Sequence, residues 1–177
     1  CGPEGLGGVA LSERMLTDAH PTVIGWRSLQ DETRAVADDP DPFHHDSRRF
    51  EVATSCVPLM AGLRCSLDLL EQEGSDGDRL ERIRTLSEQL WRELQSLGGI
   101  SPLLEGPPPA GLVSFQMHPE ATQATPSEVV KALGTEQIWI RDLADPICLR
   151  ACTHICTNHS DMAQLIDQIR VLSAMSS

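Results

Sequence analysis

Apolar residues recur at spacings of three and four from about Ser55 to Glu73, at Val57, Met60, Leu63, Leu67 and Leu70. That period lays one stripe along a helix, and Pro58 falls in the first turn, where a missing N–H costs nothing. A second helix is predicted after the turn residues Gly74-Ser75-Asp76-Gly77, with Leu80, Ile83, Leu86, Leu90, Leu94 and Leu97 as its stripe and Gly98-Gly99 as its stop. Pro107-Pro108-Pro109 break the chain, and Leu112 to Met117 resume as a strand. A helix follows from Thr125 to Leu133, capped by Thr125 or Ser127. Ile138 to Arg141 and Cys148 to Cys156 read as strands separated by an Asp-Pro turn. The last helix runs from about Asn158 to Ala174 and buries Met162, Leu165, Ile166, Ile169 and Leu172. Two helices, then strand–helix–strand–strand–helix, predict an α/β layer structure.

Before the first long helix the pattern is weaker. Gly5 to Ser12 reads as a Gly-rich turn entering a short strand. The polar stretch from Arg27 to Arg49, with Asp-Pro punctuation at 38–42 and the pair His44-His45, reads as a long loop. No internal repeat is present.

Composition narrows the function. The 177 residues are 40% hydrophobic, enough for one ordinary core with apolar surface to spare. Twenty-six acidic residues stand against 14 basic ones, a formal net charge of −12. Such a surface repels phosphate backbones and argues against a nucleic-acid partner. No apolar run reaches the length of a bilayer span and no signal-peptide pattern opens the chain, so no membrane role is expected. The six cysteines, Cys1, Cys56, Cys65, Cys148, Cys152 and Cys156, do not form a small-domain disulfide framework. Reduced thiols in a cytosolic or plastid-stroma-like compartment are expected. The opening Cys-Gly-Pro leads us to expect further residues before Cys1 in a parent protein, or else a processed or truncated reading frame.

Three segments could carry chemistry. Strand side chains alternate faces, so Cys148, Arg150, Cys152, His154 and Cys156 are expected on one side of the strand Cys148–Cys156. There Arg150 either faces a pocket and binds an anion or forms an ion pair with an acidic neighbour. The Cys and His intervals do not fit a zinc ribbon, an arginine interrupts them, and no metal site is expected. The run Arg48-Arg49-Phe50-Glu51-Val52-Ala53-Thr54-Ser55 leads straight into the first long helix. Its hydroxyls could cradle a phosphate at the helix N-terminus or simply cap it. Gly5-Leu6-Gly7-Gly8 lacks the spacing of a dinucleotide-binding loop.

Taken in order along the chain, these segments and several others resemble one family. Cys1-Gly2-Pro3-Glu4-Gly5-Leu6-Gly7-Gly8 is similar to the stretch that follows the His-Lys Schiff-base motif of class V aminotransferase-like enzymes. These belong to the fold-type-I pyridoxal-phosphate (PLP) group, and the likeness is strongest to the cyanobacterial cysteine/cystine C–S lyases. Ile24-Gly25-Trp26-Arg27, Arg48 to Ser55, Gly111 to Gln116, Arg141 with Asp145-Pro146, and Leu149 to His154 also match.

The resemblance implies that residues 1–54 are the tail of the PLP-binding large domain. Residues 55–177 would be the linking helices and the C-terminal α/β small domain. It implies that Thr54 binds the cofactor phosphate, in the neighbouring active site of a homodimer. Arg150 would hold the substrate α-carboxylate, Arg141 the second carboxylate of cystine, and Trp26 would line the same pocket. The parent reaction would be β-elimination from cysteine or cystine in the cytoplasm. The only lysine is Lys131, in the Thr125–Leu133 helix. The family's Schiff-base lysine would precede Cys1, so these residues alone are expected to be inert. Cysteine desulfurases are close relatives that need a nucleophilic Cys upstream of the carboxylate-binding Arg, and this chain has none between Cys65 and Cys148. An epimerase, an aminotransferase proper, and a non-catalytic truncated interaction subunit are the other readings.

Overall fold

A computed structural model describes residues 2–31, 33, 36–38 and 40–174. Cys1, which opens the Gly-rich motif, lies outside the described residues, as do Glu32, Arg34, Ala35 and Asp39 of the polar stretch. The chain divides into two compact units, Cys1–Gln72 and Glu73–Ser177.

The second unit contains the core. It opens on α3, Asp76–Gln95, after helices α1 (Glu13–Asp18) and α2 (Val57–Gln72) of the first unit. Ser75 caps α3: its hydroxyl accepts from the Asp78 N–H, and the Asp78 carboxylate accepts from the Ser75 N–H at 2.9 Å. This reciprocal box satisfies two donors that a helix start leaves open. The Ser75 hydroxyl also donates to that carboxylate, and these bonds hold the Asp78 acid below its ordinary range. Strands β1 (Ile100–Pro102) and β2 (Leu112–Met117) follow, then α4 (Pro126–Thr135), β3 (Arg141–Ala144), β4 (Ile147–Cys152) and α5 (His159–Ala174). Thr125 caps α4 in a second box with Glu128.

The four strands pair antiparallel throughout, in the order β1-β2-β4-β3. Val113 and Phe115 of β2 and Leu149 and Ala151 of β4 share one face, and all four are buried. They join Leu86, Leu90 and Leu94 of α3, Val129 and Leu133 of α4, and Leu165, Ile166 and Ile169 of α5 in one hydrophobic core. The architecture is α/β, as the pattern of elements predicted.

The first unit is built differently. It contains α1 (Glu13–Asp18), 3₁₀ turns at Trp26–Ser28, Val36–Asp38 and Ser47–Phe50, and α2 (Val57–Gln72). Among its described residues only Ser28 is buried. The apolar stripe of α2 is open, with Val57, Met60, Leu63 and Leu67 all exposed.

The structure corrects four expectations. Residues 5–12 form no strand, and α1 starts behind them, capped by the Ser12 hydroxyl. β1 was not foreseen. β3 begins at Arg141 rather than Ile138, and β4 ends at Cys152 rather than Cys156. The buried Thr153 ends β4 by turning its hydroxyl to the carbonyls of Gly111 and Ile83, at 3.3 and 3.4 Å. The His154 N–H then closes a turn on the Thr157 hydroxyl at 2.9 Å. His154 and Cys156 therefore do not share the strand face of Arg150.

Candidate functional site

β3 and β4 form a hairpin around Asp145-Pro146, whose peptide bond is cis. Its register sets Arg141 directly opposite Arg150. Directly opposed residues of an antiparallel pair project to the same face, so two guanidinium groups stand side by side on the sheet face away from Leu149 and Ala151. Ser114 of β2 lies opposite Arg150 on its other flank and shares that face. Arg150 is half-buried and Arg141 exposed.

Neither guanidinium has a hydrogen bond or an ion pair with any described residue. The expected alternative, pairing with acids such as Asp142 or Asp145, is not what the structure holds. Asp142 lies opposite Leu149, on the other face. Like charges directly opposed on a sheet repel one another, and each planar fork can take a carboxylate bidentately. The arrangement can therefore hold two carboxylates, or one anion shared between two forks.

Trp26 and Thr54 belong to the first unit. Trp26 opens a 3₁₀ turn and is about half exposed, with the Arg27 guanidinium 5.3 Å from its ring centroid. Arg27 in turn donates to the Glu51 carboxylate at 3.1 Å. Thr54 lies three residues before α2, and its exposed hydroxyl bonds to no described residue. The capping role considered for Thr54 and Ser55 is unfilled, since the carbonyl of Cys56 accepts from the Leu59 and Met60 N–H groups instead. The Thr54 hydroxyl is thus left available to a ligand.

Upstream of Thr54, Asp46 accepts from the Arg48 N–H at 3.0 Å and takes the Arg48 guanidinium in a two-point contact. These bonds, the side-chain ones first, hold its carboxyl down at about 2. Lys131 lies exposed on α4. The cysteines among the described residues are free thiols, and no group of three or more His, Cys, Asp or Glu among those residues is placed to hold a metal ion.

Sequence reasoning missed two features. The pairing of Arg141 with Arg150 was open to inference, because the two stand at equal distances on either side of the Asp145-Pro146 turn. Ser28, buried and bonded on both sides of its hydroxyl, gave no signal in composition or period.

Known structures share this fold. A complex of the cystine C–S lyase C-DES with its reaction product cysteine persulfide is 34% identical, with a TM-score of 0.86, over 97% of this chain and 44% of that one. A C-DES mutant with glycine covalently linked to the PLP cofactor gives 34% identity and a TM-score of 0.85, over 97% and 43%. The cysteine desulfurase CsdA from Escherichia coli shares the fold, at 19% identity and a TM-score of 0.76, over 98% of this chain and 44% of its own. The chain therefore spans under half the length of these enzymes. No curated protein sequence matches it. Residues 1–171 match the family described as Aminotransferase class-V, and the chain belongs to that family, with the fold of the C-terminal part of a fold-type-I enzyme.

Proposed function

We propose that this chain is the substrate-carboxylate and phosphate-binding part of a PLP-dependent cysteine/cystine C–S lyase that works by β-elimination. The observation that carries the reading is the opposed couple Arg141–Arg150 on one sheet face, without an acidic partner among the described residues. Pyridoxal phosphate, when bound, supplies an electron sink for the pair left at Cα when its proton departs. Arg150, the more buried of the two, grips the α-carboxylate and fixes how the Cα–H bond is presented. Arg141 meets the far carboxylate that cystine has and cysteine lacks. Thr54 donates its free hydroxyl to the cofactor phosphate, in the neighbouring active site of a cytoplasmic homodimer, and Trp26 lines the substrate pocket. Residues 1–54 close the large domain, and residues 55–177 form the linking helices and the small domain.

The lone lysine, Lys131, sits exposed on a helix of the small domain, so the proton-moving lysine comes from outside these 177 residues, which are inert by themselves. Desulfuration is disfavoured because no cysteine lies between Cys65 and Cys148 to receive sulfur upstream of Arg150.

Product analysis of the full-length protein with PLP, on cystine and separately on cysteine, tests the reaction. Elimination from cystine consumes one water and gives free cysteine persulfide, pyruvate and ammonia. Alanine formed from cysteine, with a persulfide left on a protein thiol, would identify a desulfurase and overturn the proposal.

A further inference from the structure

The segment Gly25–Gln30 is gripped from two directions inside the first unit. On one side the Ser28 hydroxyl donates to the Glu51 carbonyl at 2.6 Å while accepting from the Gly25 N–H at 3.1 Å. Gly25 lies so close to the same stretch that a Cβ there would stand 1.9 Å from the Val52 carbonyl oxygen. No residue larger than glycine allows that approach without moving one of the two segments. On the other side the His44 N–H donates to the Ser28 carbonyl at 3.0 Å, and Gln30 bonds to Pro42 and Phe43. Ser28 is fully buried, whereas the residues it joins are partly or wholly exposed.

What is joined matters. The turn that Ser28 closes begins at Trp26, and Thr54 follows three residues after Glu51, whose carbonyl Ser28 grips. The Arg27–Glu51 ion pair lies across the same junction, and the Arg27 guanidinium also braces the Trp26 ring.

We propose that Ser28 is a positioning residue that locks the Trp26 turn to the Glu51–Thr54 segment. The pocket wall and the phosphate-binding hydroxyl are thereby placed as one body. This deepens the reading of Trp26 and Thr54 given above and rests on it. Ser28 touches neither substrate nor cofactor in this account. It acts by fixing the distance between two groups that do, and a buried hydroxyl with both a donor and an acceptor partner is costly to replace.

The test uses the full-length protein in four forms besides the wild type: Ser28→Ala, Ser28→Cys, Thr54→Ala and the double variant Ser28→Ala/Thr54→Ala. Apo-protein is titrated with PLP by absorbance, and KM for cystine and the apo melting temperature are measured alongside. Ser28→Ala is expected to weaken PLP binding by about tenfold, as the loss of a buried hydrogen bond would, and to raise KM for cystine. Ser28→Cys keeps a polar atom at the same place, though a larger one and a weaker donor, and should fall between. The double variant should bind PLP no more weakly than Thr54→Ala, since the two residues act through one contact.

If Thr54→Ala leaves PLP affinity unchanged, the assignment of Thr54 fails and the inference fails with it. If Thr54→Ala weakens binding while Ser28→Ala lowers only the melting temperature, the positioning role alone is overturned. Additive losses in the double variant overturn it too. Should Ser28→Ala not fold, Ser28→Cys alone and combined with Thr54→Ala carries the same comparison.

Discussion

Arg141 faces Arg150 across the β3–β4 hairpin, and neither guanidinium meets a carboxylate among the described residues. In a chain with 26 acidic side chains and 14 basic ones, two adjacent arginines without an acid are a specific arrangement. On the proposed reading the two forks have separate tasks. Arg150→Lys keeps the charge but loses the planar fork, so activity should fall on cysteine and cystine alike. A loss of roughly 2–4 kcal/mol in transition-state stabilisation, about 30- to 900-fold in kcat/KM, is expected. Arg141→Ala should raise KM for cystine and leave cysteine nearly unchanged. Steady-state kinetics of the full-length protein on both substrates measures this, and equal losses would defeat the two-carboxylate reading.

The same couple makes a stability prediction of opposite sign to the usual one. Removing one of two opposed like charges relieves repulsion and breaks no contact. Arg141→Ala should therefore leave the melting temperature unchanged or slightly raised, and the difference should shrink in high salt. A clear drop in calorimetry would mean that Arg141 has an acidic partner in solution.

Lys131 should not carry the cofactor. It is exposed on α4, and no hydrogen bond or ion pair with a described residue holds it. Borohydride reduction of the 177-residue chain with PLP, followed by peptide mapping, should give slow and scattered labelling. A stoichiometric adduct at Lys131 accompanied by turnover would overturn the view that these residues are inert alone.

Acid should loosen the turn that precedes Thr54. The Asp46 carboxyl is held at about 2, below its ordinary 3.8, chiefly by its hydrogen bonds to Arg48. A depressed folded-state value means the unfolded chain takes up the proton first. The contribution is therefore complete above 3.8, shrinks as pH falls and is gone below about 2. An NMR titration of the Asp46 carboxyl carbon should show a midpoint near 2, and a midpoint at the ordinary value would remove the contact.

The sheet core has a sharper requirement. Phe115 is fully buried among residues of the core, and Phe115→Ala should cost about 3–5 kcal/mol. Thermal melts followed by circular dichroism should show the loss.

Where one face of a helix is buried, the sequence is legible. The periods of α3, α4 and α5 match the observed helices to within a few residues, because each turns a single stripe to the same core. β2 was bounded at both ends for the same reason, with Val113 and Phe115 inward. Failures came where neighbours decide. β1 is three residues long and ends in Pro102, so nothing local marks it, and it exists because β2 pairs with it. β4 reads as continuing to Cys156, but the Thr153 hydroxyl finds carbonyls from distant segments and the ladder stops. The individual arginines were legible, and their juxtaposition needed the hairpin register. Ser28 was invisible because its burial comes from contacts with Glu51, far along the chain.

The first unit buries a single described residue, while the second encloses a continuous core. Such unevenness sets an order of failure. Segments with few buried apolar contacts open locally at little free-energy cost, long before a packed core melts, and a ligand that binds only the closed form suppresses that opening by mass action. In these 177 residues taken alone, Thr54 therefore stands on the part most easily opened. Limited proteolysis of the 177-residue chain should cut within the first unit before it reaches the sheet core.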